Sequence, residues 1–329
     1  MRTFIVGAGV AIAVTLASSL IAVAGQGPSS APKLAQKDKP LRTSWGAPDL
    51  QGIWTNATTT PLERPAQMAA KDVLTDEERR ELDVRAAQNA DRPPRPGDTG
   101  AYNSFWLESG LASNRTSLIV DPPDGRLPPL TPEAKRREDA LEAARRKAPG
   151  SWEDLNWFER CITRGMPGAM MPGFYNHNYE ILQTPNYVAF NVEMSSYRIV
   201  PLDGRPHISQ GIRQWLGDSR ARWEGDTLVV ETTNLTDRVH ERRRSNTVFG
   251  GSGQTTLVER FRRVDADTID YGFTVTDPAT FTRPWTASIP MHKIKGPVFE
   301  YACHEGNYAL PNILKGARAQ EKAAVGSAK

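Results

Sequence analysis

The second half of the chain alternates large apolar and polar side chains with a period of two. In YVAFNVEM, at 187–194, Val188, Phe190 and Val192 fall on one face of an extended chain. The same alternation recurs in DTLVVETT at 226–233 and in TIDYGFTV at 268–275. Because successive side chains of a strand point to opposite faces, this pattern predicts antiparallel strands with one buried face.

Nine such segments follow one another with no helical pattern between them: YEILQT, YVAFNVEM, YRIVPL, SRARW, DTLVVETT, TTLVERFRR, TIDYGFTV, WTASIPMH and VFEYAC. The turns PLDGRP, WEGDT, VDADT and TDPAT contain the Asp, Gly and Pro residues that tight reversals use. We therefore predict a mainly β fold, an antiparallel meander closing into a lipocalin-like barrel, because closure removes exposed strand edges. A two-sheet sandwich is the structural alternative.

The polar faces of these strands carry four acidic residues, Glu193, Glu231, Glu259 and Glu300. Acidic and basic side chains commonly form a ladder on the solvent side of an antiparallel sheet. We expect these four glutamates to face solvent.

The region before the sheet is rich in Pro, Arg, Ala and Glu and has few large apolar residues. Two helices begin with recognisable caps, a Thr75–Glu78 capping box and Thr131 followed by Pro132, and a short third helix is predicted at Ser151. The first two helices have too few large apolar residues to bury a core of their own. We therefore divide the chain into a signal peptide at 1–24, a flexible linker at 25–44, a helical, Pro-rich arm wrapped on the barrel at 45–175, the β domain at 176–315 and a disordered tail at 316–329.

One strand candidate, PDLQGIWT at 48–55, lies in this arm rather than in the run of nine. Its Trp54 is an amphipathic aromatic side chain large enough to plug one end of a barrel. This stretch is a further short strand candidate, placed in the arm and outside the run of nine.

The N-terminus has the features of an export signal. Arg2 precedes an uncharged run from Phe4 to Ala24, and Ala22 and Ala24 form an A-x-A cleavage site. The run is also long enough for an uncleaved membrane anchor. We predict signal cleavage, a periplasmic or secreted location, and no stable membrane insertion after cleavage.

The overall charge excludes one class of partner. The 329 residues include 41 basic and 38 acidic side chains, so the chain is close to neutral. Such a balance does not favour binding to nucleic acid. A small-molecule ligand or substrate is the expected partner.

The two cysteines, Cys161 and Cys303, are interpreted through the predicted compartment. In an oxidising environment a single pair favours one disulfide, and two free thiols are the alternative. The bond would place the WEDLNWFERCI segment beside the EYACHEG segment. An oxidised Cys303 would not act as a nucleophile.

Four polar clusters at strand ends are the candidate functional residues, because loops held by a rigid sheet often carry binding and catalytic side chains. They are His177 and Tyr179, then Arg205 and His207, then Arg213, Trp215 and Asp218, and finally His304, Glu305 and Tyr308. We assign His304, His207 and His177 as candidate acid or base groups. Six of the others are candidate substrate-binding residues: Arg213, Arg205, Trp215, Tyr179, Asp218 and Glu305.

The histidines can also be explained without a catalytic role. His177 and His207 lie in turns, where a histidine often only hydrogen-bonds the backbone. A zinc site built from His177, His207 and His304 lacks the close spacing typical of such sites. We expect neither a metal nor a cofactor.

Several phrases of the chain resemble a family of predicted secreted bacterial proteins. They include PDLQGIWT, RTSLIVDPPDGRLPPLTPEAKRR, IRQWLGDSRARWEGDTLVVETTN and EYACHEGNYALPNILKGARA, and the matching phrases extend over nearly the whole mature chain. The resemblance implies export and a β-rich architecture, and it implies no particular reaction.

Two classes of function fit these features. One is an exported enzyme of the lyase, hydratase or isomerase type that acts on a small organic molecule by general acid and base chemistry. The alternative is a non-catalytic barrel that binds a lipophilic or aromatic ligand, and a second alternative is a structural protein that docks onto a partner. The histidines in strand-end clusters favour the enzyme.

Overall fold

The computed structural model describes residues 41–90, 108, 110–173, 176–194, 197–237 and 251–327. The predicted signal peptide and most of the predicted linker lie outside these residues. Within them the strands are β1 Gly52–Thr55, β2 Ile119–Asp121, β3 Asn178–Gln183, β4 Tyr187–Val192, β5 Tyr197–Pro201, β6 Asp218–Glu224, β7 Thr227–Thr233, β8 Thr256–Arg263, β9 Thr268–Thr276 and β10 Trp285–Lys293. The helices are α1 Asp76–Ala90, α2 Pro132–Arg145 and α3 Ala309–Ser327.

Nine of these strands form one sheet in the order β5-β4-β3-β1-β10-β9-β8-β7-β6, and β2 pairs with β10 beside this path. The two end strands, β5 and β6, contact each other, so the sheet is nearly closed into a barrel. The predicted mainly β, antiparallel barrel is confirmed.

The junction of β5 and β6 differs from every other junction in this order. Each neighbouring pair along the path is antiparallel, and nine is an odd number, so β5 and β6 run in the same direction. Side chains join them: Arg198 of β5 donates to the hydroxyl of Ser219 on β6 from Nε at 3.2 Å and from a terminal nitrogen at 3.1 Å. We call this junction the seam.

Aromatic side chains fill the interior of the barrel. Phe261 lies between Phe190 and Tyr271, with ring centroids 5.0 and 4.7 Å away, and Phe273 continues the contact to Trp285 at 5.4 Å. All five rings are almost completely buried. Each such side chain stabilises the fold by about 1.5–3 kcal/mol relative to exposure, so the alternation in the sequence directly builds this core.

Glu259 corrects the expectation that the strand glutamates face solvent. It lies on the inward face of β8 with Leu257 and Phe261, and it is fully buried. Its carboxylate accepts from both terminal nitrogens of Arg198, one of them at 3.0 Å, and from the hydroxyl of Tyr271 at 3.1 Å. A buried charge needs a partner, and Arg198 supplies it across the barrel.

Two strand predictions are corrected. The GIWT stretch of PDLQGIWT is a full member of the barrel wall, because β1 pairs with both β3 and β10 and Trp54 is fully buried. Residues 298–303, the predicted strand VFEYAC, form no strand. In the structure β10 already pairs with β9 on one edge and with β1 and β2 on the other, so no edge of β10 is free for that segment.

The helix caps of the arm are as predicted. The backbone nitrogen of Thr75 donates to the Glu78 carboxylate at 2.8 Å, and Glu78 donates back to the Thr75 hydroxyl at 3.3 Å. The hydroxyl of Thr131 caps α2. The third predicted helix is reduced to a single 3-10 turn, Trp152–Asp154, because the side chain of Asn156 caps a new turn two residues later.

Polar contacts attach the arm to the barrel. The Arg115 guanidinium donates to the main-chain oxygen of Ser288 on β10 at 2.8 Å. The hydroxyl of Thr131 donates to the main-chain oxygen of Ala279 at 3.0 Å, and Arg137 donates to the same oxygen at 3.2 Å. The segment before β2 and the first turns of α2 are thereby held on the barrel.

The prediction of a disordered tail at 316–329 is wrong over most of its length, because α3 extends through Ser327. Ala317 is buried, and the Arg318 guanidinium donates to the main-chain oxygen of Pro149 at 2.8 Å. The Ala, Lys, Gln and Glu residues of this segment are also good helix formers. No helix among the described residues combines the length and the apolar character needed to cross a bilayer.

The predicted disulfide between Cys161 and Cys303 is confirmed, with Cα atoms 5.6 Å apart. It joins the segment before β3 to the segment after β10 across 142 residues of sequence. In the chain-entropy model a loop of this length corresponds to about 5 kcal/mol of stabilisation. A bond of this kind indicates an oxidising compartment.

Candidate functional site

A cleft of about 550 Å³ opens at the seam. Its walls come from β5, from the turn that precedes β6 together with the first residues of β6, and from residues 162–163. The apolar lining residues are Ile162, Tyr197, Ile199, Pro201, Trp215 and Leu216, and the polar ones are Thr163, Arg198, Arg213, Gln214, Asp218, Ser219 and Arg220. The cleft therefore combines aromatic surface with charged groups of both signs.

One predicted cluster lies entirely in this wall. Arg213, Trp215 and Asp218 all line the cleft. Trp215 is 39% exposed and packs edge to face on the buried Trp157, with ring centroids 4.6 Å apart. Edge-to-face packing of this kind restricts a ring while leaving one side open, so Trp215 presents a fixed aromatic surface to the cleft.

Local interactions determine the conformation of the turn before β6. The side-chain amide of Asn234 donates to the main-chain oxygens of Ser209 at 2.8 Å and Ile212 at 2.9 Å. Gly217 has φ +70°, and a Cβ there would lie 2.5 Å from the main-chain oxygen of Thr233. Only glycine fits this position without strain, so the turn that carries Trp215 is closely determined.

His207 adjoins the cleft through Asp218. Its Nδ1 lies 2.8 Å from Asp218 Oδ2, and its Nε2 lies 3.3 Å from Glu231 Oε1. The imidazole side chain is 24% exposed, and that of Asp218 is 8% exposed. The structure thus brings together two of the predicted clusters, the one with His207 and the one with Asp218.

Further donors hold the Asp218 carboxylate. Arg220 donates to Oδ1 at 2.6 Å, and the backbone nitrogen of Ile208 donates to Oδ2 at 3.1 Å. A carboxylate that is held in place and bonded to Nδ1 fixes the ring orientation and directs Nε2 outward. This arrangement can move a proton at Nε2 if a substrate group replaces Glu231 there.

The sequence interpretation missed Glu231 and Arg220 as members of this site. The turn at Gly225–Asp226 sets the register of the β6–β7 hairpin, and counting outward from it places Arg220 opposite Glu231. That count was the signal that could have found the pair. Glu231 is partly exposed, as expected for the solvent face, but it also contacts His207.

Arg205 does not line the cleft. Its Nε donates to Asp203 Oδ2 at 2.7 Å and a terminal nitrogen donates to the Tyr187 hydroxyl at 3.2 Å. The Arg205 guanidinium lowers the pKa of the Asp203 carboxyl. Arg205 is therefore engaged within its own turn on the surface.

His177 is buried, with 4% of its surface exposed. Its Nε2 lies 3.2 Å from a terminal nitrogen of Arg164. Burial, together with the positive charge of Arg164, lowers the pKa of His177 to about 4. The ring is neutral near pH 7, and its surroundings favour a structural role.

Tyr179 is also part of the interior. It is fully buried on β3, and its hydroxyl lies 3.4 Å from the main-chain oxygen of Ala169. Burial raises the pKa of Tyr179 well above its ordinary value. Its position inside the barrel separates it from a ligand in the seam cleft.

A pair of carboxylates, Glu108 and Glu193, lies next to His177. Glu193 is buried, so the expectation that it faces solvent is wrong, as it is for Glu259. The Asn178 amide donates to Glu108 at 3.1 Å and to Glu193 at 2.8 Å. Burial raises the pKa of Glu193, and the neighbouring Glu108 adds to this effect. The backbone nitrogen of His177 donates to Glu108 at 3.3 Å, so the pair helps to hold the start of β3.

His304 and Glu305 line a second pocket, of about 270 Å³, beside the disulfide. Both side chains are exposed. We call this the disulfide pocket. It shares the lining residues Ile162 and Thr163 with the seam cleft.

The three candidate histidines thus have three different surroundings. His177 is buried, His207 lies between the carboxylates of Asp218 and Glu231, and His304 lines the disulfide pocket. Among the described residues there is no group of three His, Cys, Asp or Glu side chains placed to hold a metal ion. Comparisons with protein-family models, curated proteins and solved structures find no match. The function is therefore inferred from the residues and geometry of the site.

Proposed function

We propose that the protein is an exported enzyme that transfers protons on a small organic molecule bound in the seam cleft. The reaction type would be that of a lyase, hydratase or isomerase. The observation that carries this proposal is the His207–Asp218 pair, at 2.8 Å, in which Asp218 lines the cleft together with Arg213 and Trp215 and His207 lies directly behind Asp218. An oriented imidazole next to a concave site is the usual arrangement of a general acid or base.

The charges of the cleft assign separate tasks to its arginines. Arg198 contacts Glu259, and Arg220 contacts Asp218. Arg213 instead donates to the main-chain oxygen of Gly253, so its charge is not neutralised by a carboxylate among the described residues. Arg213 is the group that would bind a carboxylate or oxyanion of the substrate.

His207 would be the proton-transfer group. Asp218 holds Nδ1, and Nε2 exchanges its contact with Glu231 for the substrate. Glu231, whose side chain is 42% exposed, can move away and pass the proton to solvent. Trp215 would pack on the substrate body and restrict its orientation.

Export is part of the same proposal. The Cys161–Cys303 bond indicates an oxidising compartment. The uncharged run from Phe4 to Ala24 with its A-x-A site supports delivery by a cleaved signal.

Solvent exchange detects proton transfer whichever of these reactions takes place. The mature protein is incubated in D₂O with a panel of 2- and 3-hydroxy acids, unsaturated acids and sugar acids, and deuterium uptake or conversion is followed by mass spectrometry. We expect at least one compound to exchange or convert. His207→Gln should lower that rate by about 10²–10⁴-fold, the usual contribution of a general base.

Arg222→Gln is the matched control, because Arg222 is an exposed arginine of β6 that contacts Glu224 and lies outside the cleft lining. It should leave the rate unchanged. No exchange with any compound, or an unchanged rate in His207→Gln, would contradict the proposed enzyme.

A non-catalytic binding protein is the second candidate. The apolar wall formed by Tyr197, Ile199 and Trp215 favours it. In that case a ligand would be retained in a native mass spectrum, Trp215→Ala would reduce its retention, and His207→Gln would not.

A further inference from the structure

The seam cleft and the disulfide pocket are neighbours. Ile162 and Thr163 line both of them. Cys161, the residue before this shared wall, is tied to Cys303 by the disulfide. The wall between the two pockets is therefore fixed in place.

Consecutive residues of one segment contact an aromatic ring on each side of this wall. Trp157 packs edge to face on Trp215, which lines the seam cleft, at 4.6 Å. Phe158 stacks nearly parallel on Tyr301, which lines the disulfide pocket, at 6.2 Å. Each pocket thus has its own supported aromatic side chain.

Planar hydrogen-bonding side chains accompany the rings in both pockets. The seam cleft has Arg213, Gln214 and Asp218, and the disulfide pocket has Glu300, His304 and Glu305. Planar polar groups bind adjacent hydroxyls in pairs, and an aromatic face packs on the apolar C–H face of a pyranose ring. The same combination of ring and polar groups therefore occurs twice, in adjoining pockets.

We propose that the two pockets together bind an extended oligosaccharide, with one sugar unit on Tyr197 and Trp215 in the seam cleft and a later unit on Tyr301 in the disulfide pocket. The inference rests on the proposed function, because the seam cleft is the same site, and it names the substrate class. A repeating ligand accounts for the repeated set of groups. Residues that line the disulfide pocket lie outside the strands, so this pocket offers no strand edge to an extended peptide.

Calorimetric titration with cello-, manno-, chito- and galacturono-oligosaccharides, each as the disaccharide and the hexasaccharide, tests chain length. We expect at least one hexasaccharide to bind ten times or more tighter than its disaccharide. Tyr301→Ala should weaken the hexasaccharide about two- to tenfold, the range for one lost aromatic contact, and leave the disaccharide unchanged. Tyr197→Ala should weaken both.

Trp152→Ala is the control, because Trp152 is exposed and lines neither pocket. It should leave both affinities unchanged. Thermal melting of each variant verifies that it is folded, and Tyr197 is exposed enough that its truncation should leave the fold intact.

Three results would overturn this inference: no hexasaccharide binding, equal affinity for both lengths, or an unchanged hexasaccharide affinity in a folded Tyr301→Ala variant. Suppose that one of these three results is found and that organic acids still exchange deuterium in a His207-dependent manner. The inference then fails while the proposed function stands. If hexasaccharides bind with the expected length dependence and nothing is turned over, the inference stands while the proposed enzyme fails.

Discussion

The two sides of the barrel are held together by different interactions. On one side β8, β9 and β10 are joined by continuous main-chain pairing, eight residue pairs in each ladder. At the seam β5 and β6 run in the same direction and are joined through the side chain of Arg198. The difference teaches that a concave site arises where the regular pairing of the sheet stops.

The interior of the barrel also differs between these two sides. Behind β8–β10 lie stacked aromatic rings, and behind the seam lies the buried pair of Arg198 and Glu259 with the hydroxyls of Ser219 and Thr232. Aromatic packing tolerates no open space, whereas a polar network can border a cleft that contains water or ligand. The cleft therefore lies on the side of the barrel whose interior is polar.

Replacing the seam arginine should have the largest effect. Arg198→Met leaves the Glu259 carboxylate buried without its partner, and such a loss costs about 3–5 kcal/mol of unfolding free energy. Urea denaturation measures this loss. Arg222 is an exposed arginine on β6, so the control variant Arg222→Met should lose about 0.5 kcal/mol or less.

The double variant Arg198→Met with Glu259→Leu sharpens this test. It removes both charges, so it should recover most of the lost stability. A single variant that unfolds at the same urea concentration as the wild type would show that side chains do not close the seam.

A change of pH should have the next largest effect, at the start of β3. The pKa of His177 is lowered to about 4 in the fold by burial and by Arg164, below the ordinary value near 6.5. The unfolded chain therefore takes up the proton first, so stability is complete above about pH 6.5 and is lost as the pH falls toward 4. The full loss is about 3 kcal/mol.

His177→Gln removes the titrating imidazole, so the variant should not lose this stability as the pH falls. Between pH 7 and pH 4 the unfolding free energy of the wild type should therefore fall by about 3 kcal/mol more than that of the variant. His292→Gln, at an exposed position of β10, is the control. Parallel stability curves for the wild type and His177→Gln would show that His177 titrates normally.

A substitution on the outer face of the seam should have the smallest effect. Ile199 is 67% exposed on β5, so Ile199→Thr should change the unfolding free energy by no more than about 0.5 kcal/mol. A thermal melt measures this. A loss above about 1 kcal/mol would show that the outer face of the seam is packed against another part of the chain.

Much of the barrel could be predicted because alternation is a local signal. The strands with Phe190, Leu228 and Tyr271 follow from a period of two. Glu259 was misplaced because an acidic residue reads as solvent-facing unless its partner is known, and that partner, Arg198, lies 61 residues away. The short strand with Trp54 was misplaced because its two neighbours in the sheet are distant in sequence.

The candidate site divides in the same way. Arg213, Trp215 and Asp218 are close in sequence, so their common position could be predicted. The contact of His207 with Glu231 depends on the register of a hairpin, and the cleft itself depends on the order of all nine strands. Local sequence patterns specify neither the hairpin register nor the strand order, so these contacts could not be predicted.

The odd number of strands has a consequence for how this barrel can be modified. Inserting or deleting a complete hairpin changes the number of strands by two, so the count stays odd and one junction of equal direction always remains. The parity of the sheet therefore preserves one junction at which the antiparallel pairing of the other strands cannot continue. Loops and hairpins can be exchanged around the circumference while this junction is retained.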